Sequence, residues 1–443
     1  MQELQTQLKL NMYPNLYYLL KDLFGIDLQF FKLFNSFGFF VALCFLVAAW
    51  ILTIELKRKQ QKGLLSYTEE KIWVGMPASI TDLAINFILG FILGFKIIGA
   101  FTIPDVLNDP PAYIFSSKGN LGIGLLLGIF FAGVKWWEKN KEKLAKPEER
   151  TIRIWAHDRV GDMLIYAAIF GFSGAKVFHN LENWGEFIKD PIDALTSFSG
   201  LTFYGGLLCA GIAIAFYAKK HKITIIHLAD AFSPSLMIGY AIGRVGCHIS
   251  GDGDWGILNS NYISTPTGQV VAAANELEYK KYIAHNAEFY YSQYKNLDAV
   301  RHLSVKPFWH LPDWLFAYNY PHNVISEGVR IIGCSNAQYC NQLPVPVFPT
   351  AFYEAIACTL LFVVLWLLRL RINKAGVITG IYLMLNGIER FTIEKIRVNT
   401  KYESLPFQPT QAELISSALI IAGIVVLVTV FLQKPKEEQP VIA

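Results

Sequence analysis

A chain of 443 residues that is 53% hydrophobic and only 17% charged is too apolar for a soluble globular protein and belongs in a membrane. The formal net charge is +4, and the basic residues gather in short segments between apolar runs. That pattern argues for membrane topology and against nucleic acid as a partner. Residues 1–27 lack a basic start and a small-residue cleavage site, so no cleavable signal peptide is expected.

In chain order, residues 1–28 read as an amphipathic lead-in. Apolar segments then predict nine spans, at 30–56, 80–101, 121–134, 163–178, 201–217, 228–250, 351–370, 377–396 and 414–432. Each is near or slightly below the usual ~20 residues. The predicted fold is therefore all-α, a polytopic integral membrane helical bundle with external arm segments and one long external loop, 251–348. The expected organisation is a lead-in (1–28), a first span (29–63), an extra two-span unit (64–153), core spans (154–250), the loop (251–348), further core spans (349–433) and a tail (434–443). Basic clusters follow the first, third, fifth, seventh and last spans, as at Lys57-Arg58-Lys59, Lys219-Lys220 and Arg369 with Arg371. By the positive-inside rule the N-terminus lies outside and the C-terminus in the cytoplasm, with the long loop outside.

An internal repeat sits within this plan. Residues 82–141 resemble 162–222: Asp82-Leu83-Ala84-Ile85 matches Asp162-Met163-Leu164-Ile165, and Gly94-Phe95-Lys96 matches Gly174-Ala175-Lys176. Asp109-Pro110 matches Asp190-Pro191, and Gly124-Leu125-Leu126 matches Gly206-Leu207-Leu208. Shared apolar composition alone gives some resemblance; the matching Asp, Lys and Asp-Pro positions favour duplication. The unit 64–153 is expected to pack beside the core without lining its polar site.

The most informative stretch runs from Gly239 through Gly243-Arg244-Val245-Gly246-Cys247-His248 to Gly251-Asp252-Gly253-Asp254-Trp255-Gly256. An arginine within an apolar span is costly and faces a polar cavity as a rule. With acids and glycines beside it, Arg244 suggests an intramembrane anion site. Arg390 lies on another span, with Glu394 four residues on and so on the same helix face. A structural ion pair is the bland alternative for both. Cys44, Cys209, Cys247 and Cys358 sit in apolar context and read as small core residues, and the six cysteines form no metal-type cluster. Cys334 and Cys340, in the loop, are candidate disulfide partners in an oxidising compartment.

These motifs together resemble the prolipoprotein diacylglyceryl transferase family of the bacterial inner membrane. The likeness covers roughly 162–256 and 349–413. Gly243-Arg244-Val245-Gly246 with Gly251 to Gly256 is similar to the family's Gly-Arg-x-Gly-Asn run leading to an acid and Trp-Gly. Leu201-Thr202-Phe203-Tyr204-Gly205-Gly206-Leu207 is similar to its Ser-Phe-His-Gly-Gly-Leu, and Asp230 with Pro234 matches Asp-x-x-x-Pro. Pro349-Thr350-Ala351-Phe352-Tyr353-Glu354 matches its Pro-to-Tyr-Glu stretch. Gly387-Ile388-Glu389-Arg390-Phe391 with Glu394 and Arg397 matches Gly-x-x-Arg-Phe-x-x-Glu-x-x-Arg, and Thr410-Gln411 matches the polar pair opening the last span.

The resemblance implies transfer of an sn-1,2-diacylglyceryl group from phosphatidylglycerol, or a related anionic phospholipid, to the lipobox cysteine thiol of a prolipoprotein, with release of glycerol 1-phosphate. No cofactor or metal is required. The implied substrate-binding residues are Arg244, Arg390, Gly205, Gly206, Asp252, Asp254 and Arg397, because a leaving phosphate needs forked cationic donors. The candidates for proton handling are Tyr204, Glu394 and His248. Tyr204 stands where the family has His, Cys247 where it has Asn, and Asn386 where it has Tyr. A phospholipid-binding membrane protein that retains only the anion site is the alternative.

Overall fold

The computed structural model describes residues 11–103, 106, 113–114, 116–196, 202–294, 296–334, 338–399, 401–402 and 405–433. The start of the lead-in, the Asp109-Pro110 pair and the tail at 434–443 lie outside the described residues.

The apolar runs are helices, the form in which a single segment satisfies its own backbone in lipid. Helix α1 is Leu16–Phe24, α2 Ser36–Gln61, α3 Ile80–Ile92, α4 Leu121–Lys141, α5 Val160–Glu182, α6 Phe203–Lys220 and α7 Ile225–Ser250. Two short helices, α8 Glu276–His285 and α9 Ala287–Gln293, precede α10 Thr350–Arg371, α11 Val377–Glu394 and α12 Gln411–Leu432. Among the described residues, 7 helices are long and apolar enough to cross a membrane. The other two predicted spans, α6 and α11, are helices of 18 residues each. Three of the residues on α11 are Glu389, Arg390 and Glu394, so this helix is polar where the candidate site lies.

Helix ends follow local chemistry. Asn35, Ser79, Asn120 and Thr410 cap α2, α3, α4 and α12 through side-chain oxygens, with capping boxes at Ser79–Asp82 and Thr410–Glu413. The first turn of α11 is capped from another helix: Asp230 on α7 accepts from the backbone N–H groups of Gly376 and Thr379, each at 2.9 Å.

Helix α7 is the axis of the bundle, packed against α2 on one side and α10 on another, with α11 also in contact. At its Asp230 end, Lys59 lies 3.6 Å from Asp230, and the buried Glu55 pairs with Arg58 at 2.5 Å and with Arg369 at 2.6 Å. These ties join the end of α2, the start of α7 and the end of α10. Helices α11 and α12 pair with each other, as do α5 with α6 and α3 with α4.

The two helical hairpins of the predicted repeat cross at equivalent glycines. A Cβ on Gly94 would meet the Ile123 carbonyl oxygen at 2.5 Å, and one on Gly174 would meet the Gly205 carbonyl oxygen at 2.7 Å. Each hairpin is preceded by a strand, β1 (Thr68–Val74) and β2 (Glu148–Ile154), and these pair antiparallel from Thr68↔Ile154 to Val74↔Glu148. In the first hairpin the Lys96 ammonium donates to the carbonyls of Tyr113, Ser116 and Lys118, which pins its arm. Lys96 is not among the residues of the arginine cluster described below.

The segment expected as a long loop is a folded lobe. Its core gathers Tyr279, Ile283, Tyr290, Val300, Tyr318, Tyr320 and Leu343, with Met12 from the lead-in. The strands are two or three residues long: β3 (Leu258–Asn259) pairs with β6 (His302–Leu303), β4 (Tyr262–Ser264) with β5 (Val270–Ala272), and β7 (Val329–Arg330) with β8 (Asn341–Gln342). Buried amides replace longer ladders. The Asn259 side chain donates to the carbonyls of Val305 and Phe316, Asn323 to those of Tyr320 and Glu327, and Gln342 to that of Thr265. Cys334 and Cys340 are joined by a disulfide with Cα atoms 5.8 Å apart.

Candidate active site

Helix α7 carries Arg244 close to its C-terminal end and stops at Gly251, whose φ of 63° is the left-handed turn that glycine adopts without cost. Gly253 has a φ of 100°, also in the left-handed half of the map. Between them these glycines turn the chain so that Asp254, and not Asp252, pairs with Arg244. Asp254 pairs with Arg244 and, at 2.5 Å, with Arg397. Asp252 accepts from the Asp254 backbone N–H at 3.2 Å.

The hub of the cluster is Glu354, in the first turns of α10 and fully buried. Its Oε2 lies 3.1 Å from Arg244 Nε and 3.2 Å from Arg397 Nη1, and its Oε1 lies 3.3 Å from Arg390 Nη1. Tyr240, one turn before Arg244 on α7, donates its hydroxyl to Glu354 Oε1 at 3.0 Å. In the sequence Glu354 stands out only as the end of the Pro349-to-Glu354 stretch. The signal that could have found it is a carboxylate entering an apolar span, which is expensive unless cations meet it there.

Arg390 on α11 also faces Glu394, with Nη2 at 2.9 Å from Oε2. Glu394 is held from its other oxygen by Asn399 and by Thr410, both at 2.7 Å. Glu394 therefore orients Arg390 and ties α11 to the start of α12. Arg397 follows α11, and its segment joins that after α7 through Ile257 N–H donating to the Ile396 carbonyl at 2.9 Å. Three arginines thus face three carboxylates, Asp254, Glu354 and Glu394. The one buried guanidinium nitrogen of this set with no acceptor among the described residues is Arg397 Nε. Burial alone would raise the Asp254 carboxyl, but the guanidiniums of Arg244 and Arg397 outweigh it and hold it at about 2. Asp252 moves the other way: burial and then the neighbouring Asp254 charge push it up. A cavity of about 380 Å³ opens beside the Arg397–Asp254 pair, with Trp255, Glu327 and Asn399 on its walls.

The remaining predicted residues are placed as follows. Tyr204, in the first turn of α6, is half-buried and close enough to Arg390 to interact with it electrostatically. Gly205 and Gly206 face α5 and not the arginines: added Cβ atoms would fall 2.3 Å from Phe178 Cβ and 2.9 Å from the Gly171 carbonyl oxygen. Their smallness serves the helix crossing. His248 shares a face of α7 with Arg244 but turns into an aromatic nest of Tyr318, Tyr320 and Phe352, with Nδ1 3.3 Å from the Tyr320 hydroxyl. Donor atoms of Cys247, Asp252 and Asp254 gather within 4.8 Å, yet Asp254 already has a guanidinium on each oxygen.

A family model described as prolipoprotein diacylglyceryl transferase matches residues 120–429, well over half of the chain. The chain belongs to the prolipoprotein diacylglyceryl transferase family. It is an integral inner-membrane protein, with every arginine and carboxylate of the cluster inside the matched region. A protein of Psychrobacter arcticus named phosphatidylglycerol–prolipoprotein diacylglyceryl transferase is 24% identical over 314 residues, 69% of this chain and 87% of that protein. One of the same name from Leptospira interrogans is 38% identical over 182 residues, 35% of this chain and 54% of that protein. A third, from Finegoldia magna, is 23% identical over 306 residues, 68% of this chain and 86% of that protein.

Proposed function

We propose that this chain transfers an sn-1,2-diacylglyceryl group from phosphatidylglycerol, or a related anionic phospholipid, to the lipobox cysteine thiol of a prolipoprotein, releasing glycerol 1-phosphate. The observation that carries this reading is the convergence of Arg244, Arg390 and Arg397 from two helices and a connecting segment on one buried point. Forked guanidinium donors suit a phosphate, and they act where negative charge grows as the phosphate monoester leaves. Glu354 and Asp254 keep the three cations together, so the donors are preorganised before lipid arrives. Tyr204 adds a hydroxyl beside Arg390. The test is an assay with labelled phosphatidylglycerol and a lipobox peptide. Label appearing on the peptide thiol supports the proposal. Phospholipid bound through Arg244 with no label transferred would select the lipid-binding alternative, which the Tyr204 substitution and the aromatic seat of His248 favour.

The topology is part of the same proposal: N-terminus outside, C-terminus cytoplasmic, lobe outside. It is supported by Lys59, Lys139, Lys220 and Arg371 at the ends of α2, α4, α6 and α10, and by the disulfide in the lobe. Membrane-impermeant thiol reagents applied from outside are expected to label single cysteines placed on the lobe surface and to miss ones placed near Lys139 and Lys220. Reversed labelling would contradict the orientation. The unit 64–153 is read as a duplicate of the hairpin beside the site, on the strength of the matched glycine crossings and the strand pair.

A further inference from the structure

The three arginines of the cluster are matched by three carboxylates, and a fourth carboxylate is left over. Glu389 immediately precedes Arg390 on α11. Both of its carboxyl oxygens are buried, and among the described residues neither meets an N–H or O–H donor; the Cys358 thiol is its polar neighbour. A buried carboxyl with no paired cation inside a membrane helix is costly and calls for a reason. Its surroundings are polar on one side only. From α10 it faces Glu354 and the buried Cys358 thiol, and from α7 it feels Arg244 and Tyr240. Arg390 is its neighbour on α11, and Arg397 follows that helix. The titratable residue opening α12, Glu413, is occupied by Lys395 at 2.5 Å.

Depth distinguishes Glu389 from the arginines. Cys358 follows Glu354 by one turn, so it lies about 6 Å further along α10, away from the lobe. Glu389 sits beside Cys358, and α11 reaches Glu389 before Arg390 and Glu394 as it runs towards the lobe side. Glu389 is therefore one layer below the guanidiniums. A phospholipid whose phosphate sits among the arginines has its reacting glyceryl carbon one bond deeper, on the acyl-chain side. That carbon is where an attacking thiol must arrive.

We propose that Glu389 is the proton acceptor for the acceptor thiol, a role that rests on the transferase reading above. The S–H bond breaks and its proton passes to a carboxylate oxygen of Glu389. The sulfur electron pair forms the C–S bond to the glyceryl carbon as the C–O bond to phosphate breaks. The electrons of that bond leave with glycerol 1-phosphate, whose new charge falls among Arg244, Arg390 and Arg397. Glu389 then releases its proton to water or to the departing phosphate monoester. A thiolate is the nucleophilic form of cysteine, so the step needs a base of this kind. With no cation in a closed pair, Glu389 can change protonation without dismantling the cluster, which Glu354 and Glu394 cannot.

The test compares wild type, Glu389→Gln and Glu389→Asp in the full-length protein, using phosphatidylglycerol and a lipobox peptide across a pH series. Wild-type transfer is expected to fall as pH drops through the titration of Glu389. Glu389→Gln is expected to lose that acid limb and at least about 100-fold in rate, within the usual range for general-base removal. Its binding of phosphatidylglycerol is expected to persist. Glu389→Asp keeps a carboxyl and should retain more of the rate than Gln. Gln is neutral and isosteric with the protonated carboxyl, so a purely structural Glu389 would leave rate and pH profile unchanged, and that result overturns the proposal. Should the Gln variant fail to accumulate, infrared difference spectra of wild type and Glu389→Asp decide: a pH-dependent carboxyl band that shifts in Asp supports the role, and an unchanged band overturns it. A wild type that transfers nothing overturns the transferase reading itself, whereas active wild type with equally active Gln overturns only this inference.

Discussion

Replacing Glu354 by Ala is expected to cost about 3–5 kcal/mol of stability and to abolish transfer, because it leaves buried guanidiniums without their shared counter-charge. Glu354 touches Arg244, Arg390 and Arg397 at 3.1–3.3 Å and is fully buried. With the carboxylate gone, three positive charges remain against Asp254, Glu394 and the more distant Glu389. Glu354→Gln keeps the volume and one acceptor oxygen, so it should fold better than Ala while still losing the charge. Thermal unfolding in detergent, read beside transfer, measures both. An Ala variant that unfolds at the wild-type temperature would contradict the role of Glu354 as the hub.

Removing a phosphate-facing arginine has the second large expected effect. Arg244→Ala and Arg390→Ala should each lower transfer by about 100- to 1,000-fold, the usual consequence of deleting a donor aimed at developing negative charge. Each change also frees a buried carboxylate, so some loss of stability accompanies it. Lysine should not restore the rate at either position. Its ammonium is a point charge and cannot span Glu354 and a second partner as the Arg244 guanidinium does with Asp254. Rates measured on Ala and Lys variants at equal folded fraction check this, and a Lys variant at the wild-type rate would show that charge alone suffices.

Much of this architecture was legible in the sequence because lipid reduces the question to apolar length. Among the described residues, each of the nine predicted segments holds a helix. The boundaries were less legible: the apolar run in α4 ends near Val134, whereas the helix continues to Lys141. Hydropathy marks where lipid ends and not where the helix does. The lobe could not be read, because its order comes from buried Asn and Gln side chains and strands of two or three residues, which leave no periodicity.

The site was legible in part. Arg244, Arg390, Arg397 and Glu394 are prominent as charges within or beside apolar helices. Asp254 was named together with Asp252, and the choice between them depended on glycine backbone angles at 251 and 253 that spacing alone does not fix. Glu354 was underrated because its partners are more than 30 residues away in either direction, and only the packing of α7, α10 and α11 brings them together. Gly205 and Gly206 carry a further demand that spacing does not reveal. A glycine pair next to a polar site invites a headgroup, but here it lets α5 and α6 approach.

The central claim is that Arg244 holds the phosphate of an anionic phospholipid whose diacylglyceryl group moves to a thiol. Its most direct measurement is phosphatidylglycerol binding and label transfer to a lipobox peptide, made on wild type and Arg244→Ala in parallel. Wild type is predicted to bind and transfer, and Arg244→Ala to bind weakly and transfer at no more than about one hundredth of the rate. An Arg244→Ala protein that binds and transfers like wild type would contradict the claim.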